Sequence, residues 1–134
     1  MLEEKQYLLI TNNNKVYLKY KDKFTVIFQN VSYLEILQLV RDKVHSNYKI
    51  LTHPMAGSLK PNQTPYKSVL LIPSDIMDFN SITLIENAIE SANKFLKFRS
   101  LPKWSNSILN DFKTLDLSFM DGATLNKSTY INLL

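Results

Sequence analysis

Cysteine is missing altogether from this chain of 134 residues, and glycine and arginine occur only twice each. Without cysteine there is no disulfide staple, no thiolate nucleophile, and no Cys-ligated zinc or iron–sulfur centre. With only Arg41 and Arg99 available, the bidentate contacts that dominate specific base and phosphate recognition are scarce. Long apolar runs are also lacking. The strongest, residues 69–72, falls far short of the ~20 residues that a membrane helix needs. The N-terminus carries Glu3 and Glu4 before any apolar run begins, the wrong order for a secretion signal. A soluble cytoplasmic protein is expected.

What is present is ordinary for a globular domain. The length suits one domain, and folding should bury roughly two-thirds of the surface that the unfolded chain exposes. Apolar residues make up 45% and charged residues 21% of the chain, so neither disorder nor a fibre is indicated. A net charge of +4 and a pI near 9.2 raise the question of nucleic acid. Fourteen of the sixteen basic residues are Lys, however, and Asn is abundant. That pattern is what AT-rich codon usage produces, so the lysines read as a solvated surface and nucleic acid is not the expected partner.

The hydrophobic pattern alternates between strand and helix, the signature of a sheet covered by helices. An apolar run over 7–11 ends in Asn12, Asn13 and Asn14, a strand opening into a polar turn. A short helix over 14–21 and a strand over 24–28 follow. Ser32 and Glu35 form a capping box, and Leu34, Leu37, Val40 and Val44 then recur at helical spacing. Strands are predicted over 48–52 and 67–72, the latter stopped by Pro73. A long helix over 81–98 carries Ile82, Ile85, Ile89, Ala92 and Leu96 on one stripe, with Glu90 and Lys94 as an i,i+4 pair. A last helix is placed at 102–115, and no element is assigned from Asp116 onward. The expectation is a single layered α/β domain, with a mostly parallel sheet of about four strands flanked by helices and a C-terminal helical extension.

Residues 53–66, between the third and fourth strands, form a connection unusually long for a compact domain, and such loops tend to be functional or disordered. Three of the five prolines and one of the two glycines fall here. Each proline fixes φ, so the segment is built to hold a shape. In open α/β sheets, ligands bind beyond the carboxyl ends of the strands. Thr11, Asn12 and Asn13 would share that edge if the strands were parallel. The polar groups suit an anion: the Ser58 and Thr64 hydroxyls, the Lys60 ammonium, Lys67 as a second charge, and the backbone at Gly57. Thr52 and His53 complete the candidate ligand-binding set. A rigid loop that merely caps the sheet is the competing explanation.

No motif supplies a reaction. The spacing around Gly57 and Lys60 is not that of a phosphate-binding loop of the Walker type. No triad partner for His53 is evident, and Ser58 has no nucleophile-elbow context. His53 reads as a loop anchor and His45 as a cation at a helix C-terminus. Two histidines without a carboxylate cluster do not make a metal site, and no cofactor is implied. The basic runs Lys15, Lys19, Lys21, Lys23 and Lys94, Lys97, Arg99, Lys103 read as helix faces and turns in water. The tail from Leu115 to Leu134 holds Leu117, Phe119, Met120, Leu125, Tyr130, Ile131 and Leu133. It needs burial against this domain or against a second copy, so a homodimer is open.

The string Leu51-Thr52-His53-Pro54-Met55-Ala56-Gly57-Ser58-Leu59-Lys60-Pro61-Asn62-Gln63-Thr64-Pro65-Tyr66-Lys67-Ser68 resembles the signature of the GrdX family. The opening Leu9-Ile10-Thr11-Asn12-Asn13 and the helix start Tyr33-Leu34-Glu35 resemble it too. The likeness covers about residues 7–98, with 99–134 as an extension outside it. Such proteins are encoded beside the selenium-dependent glycine, sarcosine and betaine reductase components of amino-acid-fermenting anaerobes, a system that makes acetyl phosphate. The resemblance implies a metabolic context without a reaction. Lacking cysteine and selenocysteine, this chain cannot be one of the redox-active subunits.

The expectation is therefore a non-redox accessory or regulatory protein of that system, with reductase components or a small anionic ligand held through the 52–67 loop. The alternative is a small enzyme acting on a phosphorylated or carboxylate metabolite. There His53 would be the acid–base group and Lys60 the electrostatic stabiliser.

Overall fold

The computed structural model describes residues 3–55 and 59–125. After a one-turn 3-10 helix at Glu4–Gln6, the elements run β1 (Leu8–Thr11), α1 (Asn14–Tyr20), β2 (Thr25–Phe28), α2 (Tyr33–Val44), β3 (Tyr48–Ile50), β4 (Ser68–Pro73), α3 (Phe79–Phe98) and α4 (Asn106–Leu125). The four strands form one sheet in the order β2-β1-β4-β3. β1 pairs with β2 in parallel and with β4 antiparallel, and β3 pairs with β4 antiparallel.

The sheet is thus mixed, which corrects the mostly parallel arrangement expected from the alternation of elements. Among the described residues only the β1–α1–β2 unit, whose helix covers one sheet face, makes a parallel pair. The long 53–66 connection does not carry the chain back over the sheet. It turns it around, so β4 begins at the edge where β1 ends, with Thr11 opposite Ser68. The boundary of α4 is also corrected. It starts four residues after Pro102 and runs ten residues beyond Leu115, covering a stretch to which the sequence had given no element. The tail beyond Leu125, with Tyr130, Ile131, Leu133 and Leu134, lies outside the described residues.

The register explains how both central strands can be apolar throughout. Leu8 and Ile10 of β1 face the same side as Leu71 and Val69 of β4, and pack with Ile36, Leu37, Val40 and Val44 of α2 and Ile85, Ala88 and Ala92 of α3. Leu9, Leu70 and Ile72 face the other side, against Val16 and Tyr20 of α1, Tyr7, Phe24, and Met120 and Ala123 of α4. Strands buried on both faces lose the apolar/polar alternation of a half-exposed sheet. Helices on both faces make a three-layer domain.

Local signals hold the helices. Ser32 and Glu35 form the expected reciprocal capping box, Asp78 caps α3 through Ser81, and Glu90 and Lys94 pair at 3.3 Å. Asn47, at φ 66°, makes the tight turn from α2 into β3. It takes the left-handed conformation that Asn tolerates better than most residues. Among the described residues no helix is long and apolar enough to cross a membrane.

Candidate functional site

At the end of the sheet where β1 stops and β4 starts, strand parity sends the side chains of Thr11 and Ser68 to the α4 side. Their hydroxyls are 2.7 Å apart. The Asn13 backbone N–H donates to Thr11 Oγ1 at 3.0 Å, and Ser68 Oγ donates to Asp116 Oδ2 at 2.7 Å. Since the single Ser68 hydroxyl proton is committed to the carboxylate, Thr11 must donate to Ser68. The result is a polarised chain from backbone amide through two hydroxyls to a carboxylate, in which each bond strengthens the next. Asp116, on α4, takes a second bond from Asn13 Nδ2 at 3.0 Å, and the same amide nitrogen donates to the Lys113 carbonyl at 2.9 Å. Asn13 Oδ1 meanwhile caps α1 through the Lys15 N–H. One asparagine therefore ties β1, α1 and α4 together.

Lys67 sits beside this chain and is only 4% exposed. Its Nζ lies 5.9 Å from the centre of the Tyr33 ring and 5.7 Å from that of Phe119, so α2 and α4 each present an aromatic ring to the ammonium. Burial pulls its pKa down from 10.5 to about 8, against the Asp116 charge, which works to hold it up. Burial in turn pushes the Asp116 carboxyl above its usual range, although the Asn13 and Ser68 hydrogen bonds and the Lys67 charge pull the other way. The Tyr33 hydroxyl is raised, first by burial and then by the Asp116 charge. Removal from water thus brings the proton affinities of a buried amine and a half-buried acid toward one another.

Asn12 fixes the site's frame. Its side-chain nitrogen donates to the Val31 and Pro65 carbonyls, each at 2.8 Å, and its oxygen accepts the Lys67 N–H at 2.9 Å. Its own N–H reaches the Lys67 carbonyl at 3.4 Å. The loop therefore rejoins the sheet at a side chain that satisfies three backbone groups at once.

The remaining candidates from the sequence are placed elsewhere or serve the backbone. Thr52 Oγ1 accepts the Leu70 N–H at 2.9 Å, while the Leu51 and Thr52 N–H groups both point to the Leu70 carbonyl. Two residues facing one continue the β3 edge as a bulge. His53 is exposed and its Nδ1 accepts the Met55 N–H at 3.0 Å, a turn-closing bond. Thr64 Oγ1 accepts the Tyr66 N–H at 3.2 Å. Lys60 turns toward α3, with its Nζ 5.4 Å from the centre of the Phe95 ring. Nearby, Asn62 Nδ2 donates to the Phe95 carbonyl at 2.9 Å and Trp104 Nε1 to the Gln63 carbonyl at 2.8 Å. Gly57 and Ser58 lie outside the described residues. Of the ten positions, the contacts gather Thr11, Asn12, Asn13 and Lys67 into one cluster.

The cluster also contains Ser68, Asp116, Tyr33 and Phe119, none of which had been singled out as site residues. Asp116 had a readable signal. Lys113, Asp116, Leu117, Met120, Ala123 and Thr124 recur at steps of one, three and four, so the carboxylate falls on the stripe that α4 turns inward. An acid on an inward stripe either has partners there or disrupts the packing.

A family model described as GrdX-like protein matches residues 8–125, running through α4 and past the 7–98 over which the resemblance was legible. No curated protein and no solved structure matches the chain. The matched span takes in both faces of the sheet and every residue of the Lys67–Asp116 cluster, and on that span the chain belongs to the GrdX-like family.

Proposed function

We propose that this chain is a non-redox accessory protein of a glycine reductase-type system, holding a small anionic metabolite at Lys67 where the 52–67 loop rejoins the sheet. The family supports the system, and the absence of cysteine supports a role outside the electron-transfer chemistry. The observation that carries the site is the burial of Lys67 at a sheet edge, with its ammonium against two aromatic rings from different helices. A structural lysine would ordinarily extend its head to water. A buried cation at the end of the sheet where Thr11 and Ser68 pair supports a carboxylate or phosphoryl group as the ligand. The competing enzyme, with His53 and Lys60 as its chemistry, has less to stand on. The first closes a turn and the second packs on α3.

Thermal unfolding in the presence of phosphate, acetyl phosphate, glycine, sarcosine or betaine tests the reading. A ligand at 100 times its Kd adds about 2.7 kcal/mol, which raises Tm by roughly 8 °C in a domain of this size. The Lys67→Met variant should fold and lose the response. If no compound shifts Tm, or if the variant responds as the parent does, the small-anion reading fails.

A further inference from the structure

We propose that the outer edge of β2 is a strand-binding site, and that residues 129–134 of this same chain are the segment it takes, running parallel to β2. The site uses no residue of the Lys67–Asp116 cluster and stands independently of anion binding.

The strand order leaves β2 and β3 as the outer strands among the described residues. Their free sides are protected very differently. β3 is three residues long, carries Lys49 and continues into the bulge at Thr52, devices that discourage another strand from pairing. β2 has none of them, and from Phe24 to Leu34 the chain holds no charge and no proline. The Thr25 and Gln29 N–H groups donate to the Tyr7 and Thr11 carbonyls. Alternation along the strand therefore turns the N–H and C=O of Val26 and Phe28 outward, away from β1. Both faces beside this edge are apolar. Val26 packs on the Leu9 and Phe24 side of the sheet and Ile27 on the Ile10 and Leu37 side, while the Phe28 ring lies 5.4 Å from that of Tyr17 on α1. A strand added here needs apolar side chains on both of its faces.

α4 delivers such a segment to the right place. It passes the carboxyl end of β1 at Asp116, held by Asn13 and Ser68. It then reaches the amino end of β2 at Thr124, whose hydroxyl lies 3.1 Å from that of Tyr20. The Tyr20 ring stacks at 5.4 Å on Phe24, the residue before β2. Nine residues follow Leu125. The first three can span about 10 Å, roughly two strand spacings. The rest, Thr129-Tyr130-Ile131-Asn132-Leu133-Leu134, are uncharged. Ile131 and Leu133 alternate with Tyr130 and Leu134, so both faces carry apolar groups, and Thr, Tyr and Ile are residues that strands favour. Tethering supplies a local concentration of the order of millimolar, which a second copy of the chain must outcompete. Arrival at the amino end of β2 sets the parallel direction.

Amide hydrogen exchange of the full chain, followed by NMR, is the test. Val26 and Phe28 should exchange at least about a hundredfold more slowly than unpaired amides, whatever the protein concentration. Free exchange at both overturns the proposal, and protection that fades on dilution gives the edge to a second copy and overturns it too. One of any two neighbouring N–H groups must face β2, so Ile131→Pro combined with Asn132→Pro removes a pairing donor in either register. That variant should release Val26 and Phe28 while Ile27, whose N–H faces β1, stays protected; unchanged protection at Val26 and Phe28 rules out the tail as occupant. Because the chain has no cysteine, introduced pairs report direction. Gln29→Cys with Leu134→Cys should be joined within one chain by a short bismaleimide, and Lys23→Cys with Leu134→Cys should not. The opposite preference, or links formed only between chains, overturns the proposal.

Discussion

Replacing Asn12 with alanine should cost the fold about 3 kcal/mol, although the change removes only a small polar side chain. Asn12 is 5% exposed, and its amide satisfies three backbone groups: the carbonyls of Val31 and Pro65 and the N–H of Lys67. Each such bond contributes about 1 kcal/mol net, and a deserted buried partner costs about 1–3 kcal/mol where water cannot replace the bond. Three bonds at the lower figure give the estimate. Urea unfolding should show a lower midpoint at an unchanged m-value. Asn12→Asp is the sharper probe, because it keeps the acceptor for Lys67 but sets a carboxylate against two carbonyl oxygens. At neutral pH it should cost at least as much as alanine. That surroundings-imposed penalty raises the introduced carboxyl's folded-state pKa, so the penalty is present above that pKa and relieved as pH falls through it. An Asn12→Ala cost below about 1 kcal/mol would mean that the three groups find other partners, and the account of the site's frame would be wrong.

Two further outcomes follow from the same geometry. The Lys67 pKa is lower in the folded than in the unfolded chain, so between about pH 8 and 10.5 the unfolded state binds more protons and stability rises with pH. The gap of 10.5 minus 8, at about 1.4 kcal/mol for each pH unit, sets a rise of about 3 kcal/mol across that window. Because the raised Tyr33 pKa works the opposite way above pH 10, the rise is read as the difference between parent and Lys67→Met over pH 8–10. A flat difference would show that Lys67 titrates as if it were in water. Trp104 is the sole tryptophan, and its bond to the Gln63 carbonyl fastens the second half of the loop. Trp104→Phe should lower stability by about 1 kcal/mol in urea unfolding, and an unaltered midpoint would show that this fastening is not needed.

The parts of the fold that sequence disclosed were those with local causes. The Ser32–Glu35 capping box, the Ile85/Ala92 stripe of α3 and the polar turn after Thr11 are each set within a few residues, and each was found. Strand direction has no such local cause. A connection of the length of 53–66 can carry a chain across a sheet or turn it around, and only the Thr11–Ser68 register decides. The candidate site was half legible for the same reason. The carboxyl end of β1 pointed to the edge where the cluster lies, and Lys67 lay at the loop's return. Reading the loop's polar side chains as ligand contacts overlooked the needs of its backbone: Thr52 and Thr64 satisfy N–H groups, and Asn62 satisfies a carbonyl. Asp116, nearly fifty residues beyond Lys67, joins the cluster only because α4 continues past Leu115.

The strand order also has a consequence for the chain as it is synthesised. β1, α1 and β2 are made first and can associate as a unit, yet the face that they share is closed by Leu70, Ile72, Met120 and Ala123. Until α4 has left the ribosome, Leu9, Val16, Tyr20 and Phe24 lack the part of their cover that Met120 and Ala123 supply. A nascent chain halted before Met120 would leave open to chaperones the part of this surface that Met120 and Ala123 cover.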